Sequence, residues 1–283
     1  MSPSVDVTVG VLALQGAFNE HVQLLRQAAQ ILASRDNAVK RRWAFAEIRT
    51  AAELAACDAL IIPGGESTTM SLVAERSGVL EPLRDFVKVL RKPTWGTCAG
   101  LILLAESANR TKNGGQELIG GLDVRVNRNH FGRQTESFQA NLDLPFLRNP
   151  GGKGFDTKAD PFRAIFIRAP IVEKVLPVVG GRQEREVVID GTVVAPSKPV
   201  DTAVVKDFHL GDVEVMGVLH GRAAALDEAA KQRLDAEAED IIAVRQANVF
   251  GTSFHPELTG DPRIHVWWLE QVIREVDQRR QAN

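Results

Sequence analysis

The chain has 283 residues, 44% hydrophobic and 25% charged, with 34 Lys and Arg against 36 Asp and Glu for a formal net charge of −2. So even a balance gives no electrostatic footprint for nucleic acid, and the clusters Lys40-Arg41-Arg42 and Arg279-Arg280 are too short to make one. Two cysteines argue against a disulfide framework and fit a reducing, cytoplasmic compartment, and no run of about 18 apolar residues could span a membrane.

Val7 to Leu14 reads as a buried strand, and Asn19 to Ala33 sets Val22, Leu25, Ala29 and Leu32 at helical spacing. A second strand, Leu60-Ile61-Ile62, runs into Pro63-Gly64-Gly65, after which Glu66-Ser67-Thr68-Thr69 opens a helix reaching about Arg76. Leu80 to Leu90 is helical in pattern. Strand-like Lys92-Pro93-Thr94-Trp95 then leads to helix-like Leu101 to Ala105. From Leu122 to Arg168 the chain turns β-rich, with strands at Val124-Arg125-Val126 and Ala164-Ile165-Phe166-Ile167.

Two stretches, about 176–212 and 223–244, read as surface insertions on a single domain covering 1–283, with a smaller lengthening near Ser34 to Arg42. In the first, Glu186 to Val194 predicts a hairpin about Asp190-Gly191. In the second, Leu226, Ala230, Leu234, Ala238 and Ile241 predict a helix. Alternating strands and helices predict an α/β fold: a central, mostly parallel sheet flanked by helices, with active residues at the carboxyl ends of its strands.

Chemistry concentrates in three segments. Gly96-Thr97-Cys98-Ala99-Gly100 frames a cysteine with small residues between a strand and a helix, the pattern of a nucleophile elbow. The turn directs Cys98 at the first amides of a helix, which favour the thiolate. Far downstream, Ser253-Phe254-His255-Pro256-Glu257 supplies a base and its orienter. In an extended segment both side chains leave one face, and Glu257 can fix the His255 tautomer. The third segment, Pro63-Gly64-Gly65-Glu66, brings backbone amides close to a ligand. The Gly65 and Ala99 amides make a pair of oxyanion donors. Cys57 reads as core packing, and His21, His130, His209, His220 and His265 as structural. No Cys/His cluster has metal-ligand spacing and no Gly-x-x-x-x-Gly-Lys-Ser loop is present, so neither a metal nor a cofactor is expected. The first residues, Met1 to Asp6, lack the basic-then-apolar pattern of a leader.

These segments resemble those of class I, triad-type glutamine amidotransferases. More narrowly they resemble the glutaminase subunits of pyridoxal 5′-phosphate synthase. The narrower likeness rests on Gly10 to Ala17, Pro63 to Met70, Gly96 to Ile102, Arg128-Asn129-His130-Phe131-Gly132-Arg133-Gln134, Phe166 to Pro170 and Ser253 to Thr259. It implies a flavodoxin-like fold and hydrolysis of L-glutamine to L-glutamate and ammonia by Cys98, His255 and Glu257. It also implies a synthase subunit as partner, with no part for nucleic acid or membrane. Gly65, Glu66, Ser67, Arg128, Ile167 and Arg168 would bind the amino-acid end of glutamine. Two other classes stay open: a peptidase- or deglycase-like cysteine hydrolase of the same fold, and a non-catalytic regulatory subunit.

Overall fold

The run Ala59–Ile62 has no polar side chain, and a strand apolar on both faces belongs inside a covered sheet. In the computed structural model it is such a strand, every residue buried. The structure describes residues 6–35, 41–109, 116–128, 137–148, 161–179, 181–203, 205, 209–220 and 239–282. Among these, β1 (Asp6–Leu12), β2 (Arg42–Ile48), β3 (Ala59–Ile62), β4 (Thr94–Thr97) and β13 (Val249–Thr252) form a parallel block in the order β2-β1-β3-β4-β13. The sheet continues from β13 through β12 (Asp240–Gln246), β9 (Ile171–Val175), β6 (Leu122–Asn127), β5 (Ala105–Asn109) and β10 (Thr192–Val194). In that half only β5 and β6 run parallel. A further strand, β11 (Glu214–Leu219), pairs with β12, and β7 (Ser137–Leu142) and β8 (Phe162–Ile167) make a separate antiparallel ribbon.

Side-chain alternation along β3 divides the core. Ala59 and Ile61 face a layer built by α1 (Phe18–Ser34) and α7 (Arg263–Ala282), with Val22, Leu25, Trp268 and Leu269 packed there. Leu60 and Ile62 face the opposite layer, made by α3 (Ser67–Arg76), α4 (Leu80–Arg84) and α5 (Ala99–Leu104), with Met70, Leu83 and Leu101. The short α2 (Ala51–Ala55) starts with a capping box between Thr50 and Glu53. Helices on both faces of a central parallel block are the expected α/β architecture.

Two local expectations fail. The Asp190-Gly191 hairpin is instead a short helix, α6 (Glu184–Val187), followed by β10, which pairs with β5. The reason is Glu186. It is buried, accepts from Ser107 Oγ at 2.8 Å and is ion-paired with Arg125 at 2.7 Å, an arrangement a solvated hairpin arm could not supply. The helix read over 223–244 lies outside the described residues as far as 238, and Asp240–Gln246 is strand. Ile242, Ala243 and Val244 are fully buried between β9 and β13, so the end of that stretch is core and not surface insertion. Burial on both faces outweighs the helical spacing of one isoleucine.

Two fully buried histidines sit under the parallel block. His21 of α1 and His265 of α7 pack against Trp95, and His21 Nδ1 lies 3.0 Å from His265 Nε2. Burial pushes both down from 6.5 to about 3, with Glu257 pulling His21 the other way. Folded protein therefore keeps both rings neutral where unfolded chain takes up protons. Their contribution is complete above pH 6.5 and is lost as pH falls from there toward 3. The stability lost between pH 7.5 and pH 5.5, read from urea midpoints, should be smaller by about 1 kcal/mol in His265→Leu than in the wild type; the same pH dependence in both would contradict it.

A second expectation concerns the crossing of α5 over β3. A Cβ at Gly100 would lie 2.0 Å from the Ile62 carbonyl oxygen, which is backbone and cannot step aside. Gly100→Ala should lower stability by about 1–3 kcal/mol or more in urea unfolding. A midpoint like that of the wild type would mean that α5 lifts from the sheet at no cost.

Candidate active site

The turn from β4 into α5 puts Cys98 at φ 48° and ψ −101°, in backbone space that a side chain occupies only when its surroundings hold it there. They do so from two sides. The Cys98 N–H donates to the Thr252 carbonyl at 2.8 Å, tying the elbow to the end of β13. Gly96 and Gly100 are in backbone contact across the turn, with no space for a side chain on Gly96. Ala99 opens α5, so its amide has no acceptor within the helix. The Cys98 sulfur is 3.9 Å from the carbonyl oxygen of Ile167.

His255 and Glu257 follow β13, but not as an extended pair. Proline at the first position makes Pro256–Leu258 a 3-10 turn with His255 as its N-cap. The turn curls Glu257 back so that His255 Nδ1 lies 2.7 Å from Glu257 Oε1. The His255 N–H donates to the Ile165 carbonyl at 2.8 Å, which fixes the backbone beneath the ring. Burial alone would lower the imidazole, yet the Cys98 sulfur and the Glu257 carboxylate beside it raise it to about 10. Burial would raise Glu257, but His21 and His255 hold its carboxyl below the usual range. A cysteine, an imidazole that favours its charged form and an ionised carboxylate in line can form and transfer an acyl group.

Gly64 explains how the loop after β3 reaches this group. Its α-carbon faces His255 and Cys98; a Cβ there would be 2.3 Å from His255 Cε1 and 3.4 Å from Cys98 Cβ. The Gly64 carbonyl presses on Gly16 (φ 94°), where a Cβ would lie 1.7 Å from that oxygen. In a trans peptide the N–H points opposite to the C=O. The Gly65 N–H thus points opposite to the Gly64 carbonyl. Gln15 braces the same loop, its Oε1 accepting the Glu66 N–H at 2.7 Å.

Just past β6, Arg128 is buried with Nη2 donating to Ser67 Oγ at 2.7 Å and Thr68 Oγ1 at 3.1 Å at the start of α3. Its Nε and Nη1 are buried without a hydrogen-bond partner among the described residues. Burial lowers the guanidinium and Glu66, whose Oε1 is 4.0 Å from Nη2, opposes the shift, leaving a cation oriented by hydroxyls with one long ion pair. Asn109 Oδ1 fixes the arginine backbone at 2.7 Å. Glu66 is differently engaged: its carboxylate caps α3 by accepting from the Thr68 and Thr69 amides at 3.0 and 2.7 Å. Ile167 lines the site through its carbonyl. Arg168 has a left-handed backbone (φ 44°) and an exposed side chain. The segment Asn129 to Gln134 lies outside the described residues.

Sequence reading did not single out Gln15, Thr68 or Asn109 for these contacts. The first two lie within quoted motifs, and Asn109 carries no local signal. Cys57, by contrast, is buried in the core, and burial pushes its thiol up to about 11.

Among the described residues no helix is long and apolar enough to cross a membrane, and no group of three His, Cys, Asp or Glu could hold a metal ion. The sequence profile of the SNO glutamine amidotransferase family matches residues 11–215 and 205–274. The chain is 42% identical over 274 residues to the probable pyridoxal 5′-phosphate synthase subunit PDX2 of Arabidopsis thaliana, covering 96% of this chain and 88% of the relative. It is 38% identical to the pyridoxal 5′-phosphate synthase subunit PdxT of Streptomyces avermitilis, with 93% of each covered, and 34% identical to subunit SNO1 of Saccharomyces cerevisiae, with 96% of each covered. A crystal structure of a glutamine amidotransferase superposes with a TM-score of 0.58 at 30% identity, covering 93% of this chain and 98% of the other. With a nucleophile elbow, a facing His-x-Glu turn and a family match along most of its length, the chain belongs to the SNO glutamine amidotransferase family.

Proposed function

We infer that the chain hydrolyses L-glutamine to L-glutamate and ammonia as the glutaminase subunit of pyridoxal 5′-phosphate synthase. The relatives reported above are named as subunits of that synthase. The observation that supports the site assignment is the convergence of Cys98, His255 and Glu257; a buried Arg128 with two nitrogens unpaired among the described residues, held by the start of α3, supports the substrate clamp.

Cys98, as the thiolate of a pair with protonated His255, attacks the side-chain amide carbon of glutamine. The Gly65 and Ala99 amides receive the oxyanion, a contact whose loss typically lowers turnover about 10²–10³-fold. His255 gives its proton to the departing nitrogen, ammonia leaves, and a γ-glutamyl thioester remains. Water, deprotonated by His255, then attacks the thioester carbon and releases glutamate and the Cys98 thiolate. Glu257 keeps the imidazole in the tautomer both steps need. Arg128 takes the α-carboxylate, with Ser67 and the Gly65 and Glu66 backbone around the amino-acid end and Ile167-Arg168 as the opposite wall. Because the Glu66 carboxylate is occupied in capping α3, its part is to shape that loop. A peptidase of this fold has no use for a buried cation aimed at a free α-carboxylate, and a regulatory subunit has none for an activated thiol. The ammonia goes to the synthase subunit, and two free cysteines suit a cytoplasmic setting.

The test is glutamate release, and pyridoxal phosphate formation from glutamine, by the chain with the synthase subunit. Cys98→Ala should abolish both. An electrophilic glutamine analogue should label Cys98 and spare Cys57; the reverse labelling would overturn the nucleophile. Arg128→Ala should raise the KM for glutamine about 10–100-fold, the worth of a charge-assisted hydrogen bond. Arg128→Lys should recover only part of that, since an ammonium cannot reproduce the planar fork. Wild-type KM in both variants would remove Arg128 from the substrate clamp.

A further inference from the structure

The inner oxygen of the Glu257 carboxylate is accounted for by His255. The outer one, Oε2, is buried and has no hydrogen-bond partner at full bonding distance among the described residues. His21 Nε2 on α1 is 3.4 Å from it and also 3.2 Å from Thr97 Oγ1. An ionised carboxylate oxygen without a donor is among the costlier things a protein can bury.

We propose that His21 is a positioning residue for the reaction: its Nε2–H faces Glu257 Oε2 and locks the carboxylate so that Oε1 stays on His255. This rests on the reading of Cys98, His255 and Glu257 given above. The two tautomers of neutral His21 decide the point. With the proton on Nε2, the ring donates toward Glu257 and Thr97, and its bare Nδ1 accepts from His265 Nε2–H at 3.0 Å. His265 Nδ1, buried and without a partner, is then a lone pair among aromatic rings. With the proton on Nδ1, the Nε2 lone pair confronts a carboxylate. His265 must then bury an N–H that no described acceptor meets. The first arrangement avoids both penalties. It gives a directed series from His265 through His21 to Glu257, with one donor for each carboxylate oxygen. The ionisable groups bearing on His21 are Glu257, His265 and His255, and burial keeps the ring neutral, so it can donate without bringing a rival charge.

The ring therefore acts at a distance from the substrate. When His255 carries the proton, Glu257 must stay ionised and in place to stabilise it. A carboxylate free to rotate would give up the 2.7 Å contact in exchange for solvating its other oxygen. His21 removes that option.

Turnover with the synthase subunit present, and alkylation of Cys98 by iodoacetamide in the purified chain, test this together. His21→Leu, which fills the site without a donor, should lower kcat about 10–100-fold with the KM for glutamine within about twofold. It should also move the onset of Cys98 alkylation to higher pH, because a weaker imidazolium stabilises its thiolate partner less. His21→Gln, whose amide reaches the Nε2 position, should recover most of both losses. His21→Asn, whose amide stops at the Nδ1 position, should not. In a Glu257→Ala background His21→Leu should cost nothing further, whereas a packing role would add its loss in full. Wild-type kcat and alkylation profile in His21→Leu overturn the proposal, as does an additive loss. If the leucine variant does not fold, equal behaviour of His21→Gln and His21→Asn overturns it and a difference between them supports it. Turnover that survives Cys98→Ala would instead strike at the underlying reading, which the alkylation arm, needing no glutamine, keeps separate.

Discussion

Backbone touching backbone is the constraint on which this site depends. Loops from the carboxyl ends of β1, β3 and β4 meet at Gly16, Gly64 and Gly100, and at each point a single Cβ would fall within 2.3 Å of a neighbouring atom. Only glycine lets the nucleophile turn settle on β3 while the loop after β3 lies beneath the imidazole. The strands that bring these loops together are held by an apolar core that is separate from the chemistry. Residues such as Ile61, Trp95 and Phe250 are buried in one layer and Leu60, Ile62 and Leu101 in the other. The sheet supplies the rigidity, and the glycines turn it into proximity.

Charge is placed with the same economy. Three buried histidines are linked through Glu257 and one ring contact, yet His255 is raised to about 10 while His21 and His265 are lowered to about 3. Depth does not separate them; company does. His255 has a sulfur and a carboxylate at its two nitrogens, His265 has only another ring, and His21 sees the same carboxylate from farther off. The Cys98 sulfur and the Glu257 carboxylate together thus divide the imidazoles into one that carries a proton and two that do not.

Much of this could be read from the chain because the chemistry is written in short local patterns. An elbow needs small residues around its nucleophile, and a base with its orienter fits within three positions, so Cys98, His255 and Glu257 stand out before any folding is considered. Parallel strands such as Ala59–Ile62 announce themselves by lacking a polar face. What escaped depends on partners distant in sequence. His21 looks like any histidine on an amphipathic helix until α1 is laid beside the His255 loop. Glu186 looks like a solvated hairpin residue until Arg125 and Ser107 close over it. Asp240–Gln246 reads as the end of a helix until its place between β9 and β13 is known. The turn at Pro256 marks the same limit, since proline's fixed φ suits the first position of a tight turn as well as an extended path, and Glu257 reaches His255 by curling.

The ribbon of β7 and β8 adds a property that neither the core nor the elbow has. On β8, the carbonyl of Ile165 accepts from the His255 backbone and the carbonyl of Ile167 faces the Cys98 sulfur. Carbonyls two residues apart on a strand point the same way and are about 6.6 Å apart. Strand β8 is therefore a ruler laid across the reacting pair, its graduations set by the pleat. A one-residue slip against β7 would turn both carbonyls to the other edge, and it would also pull Phe162, Ala164 and Phe166 out of the core layer they share with Ile61 and Trp95. The same burial that holds these rings inside therefore keeps the spacing of the two carbonyls from drifting.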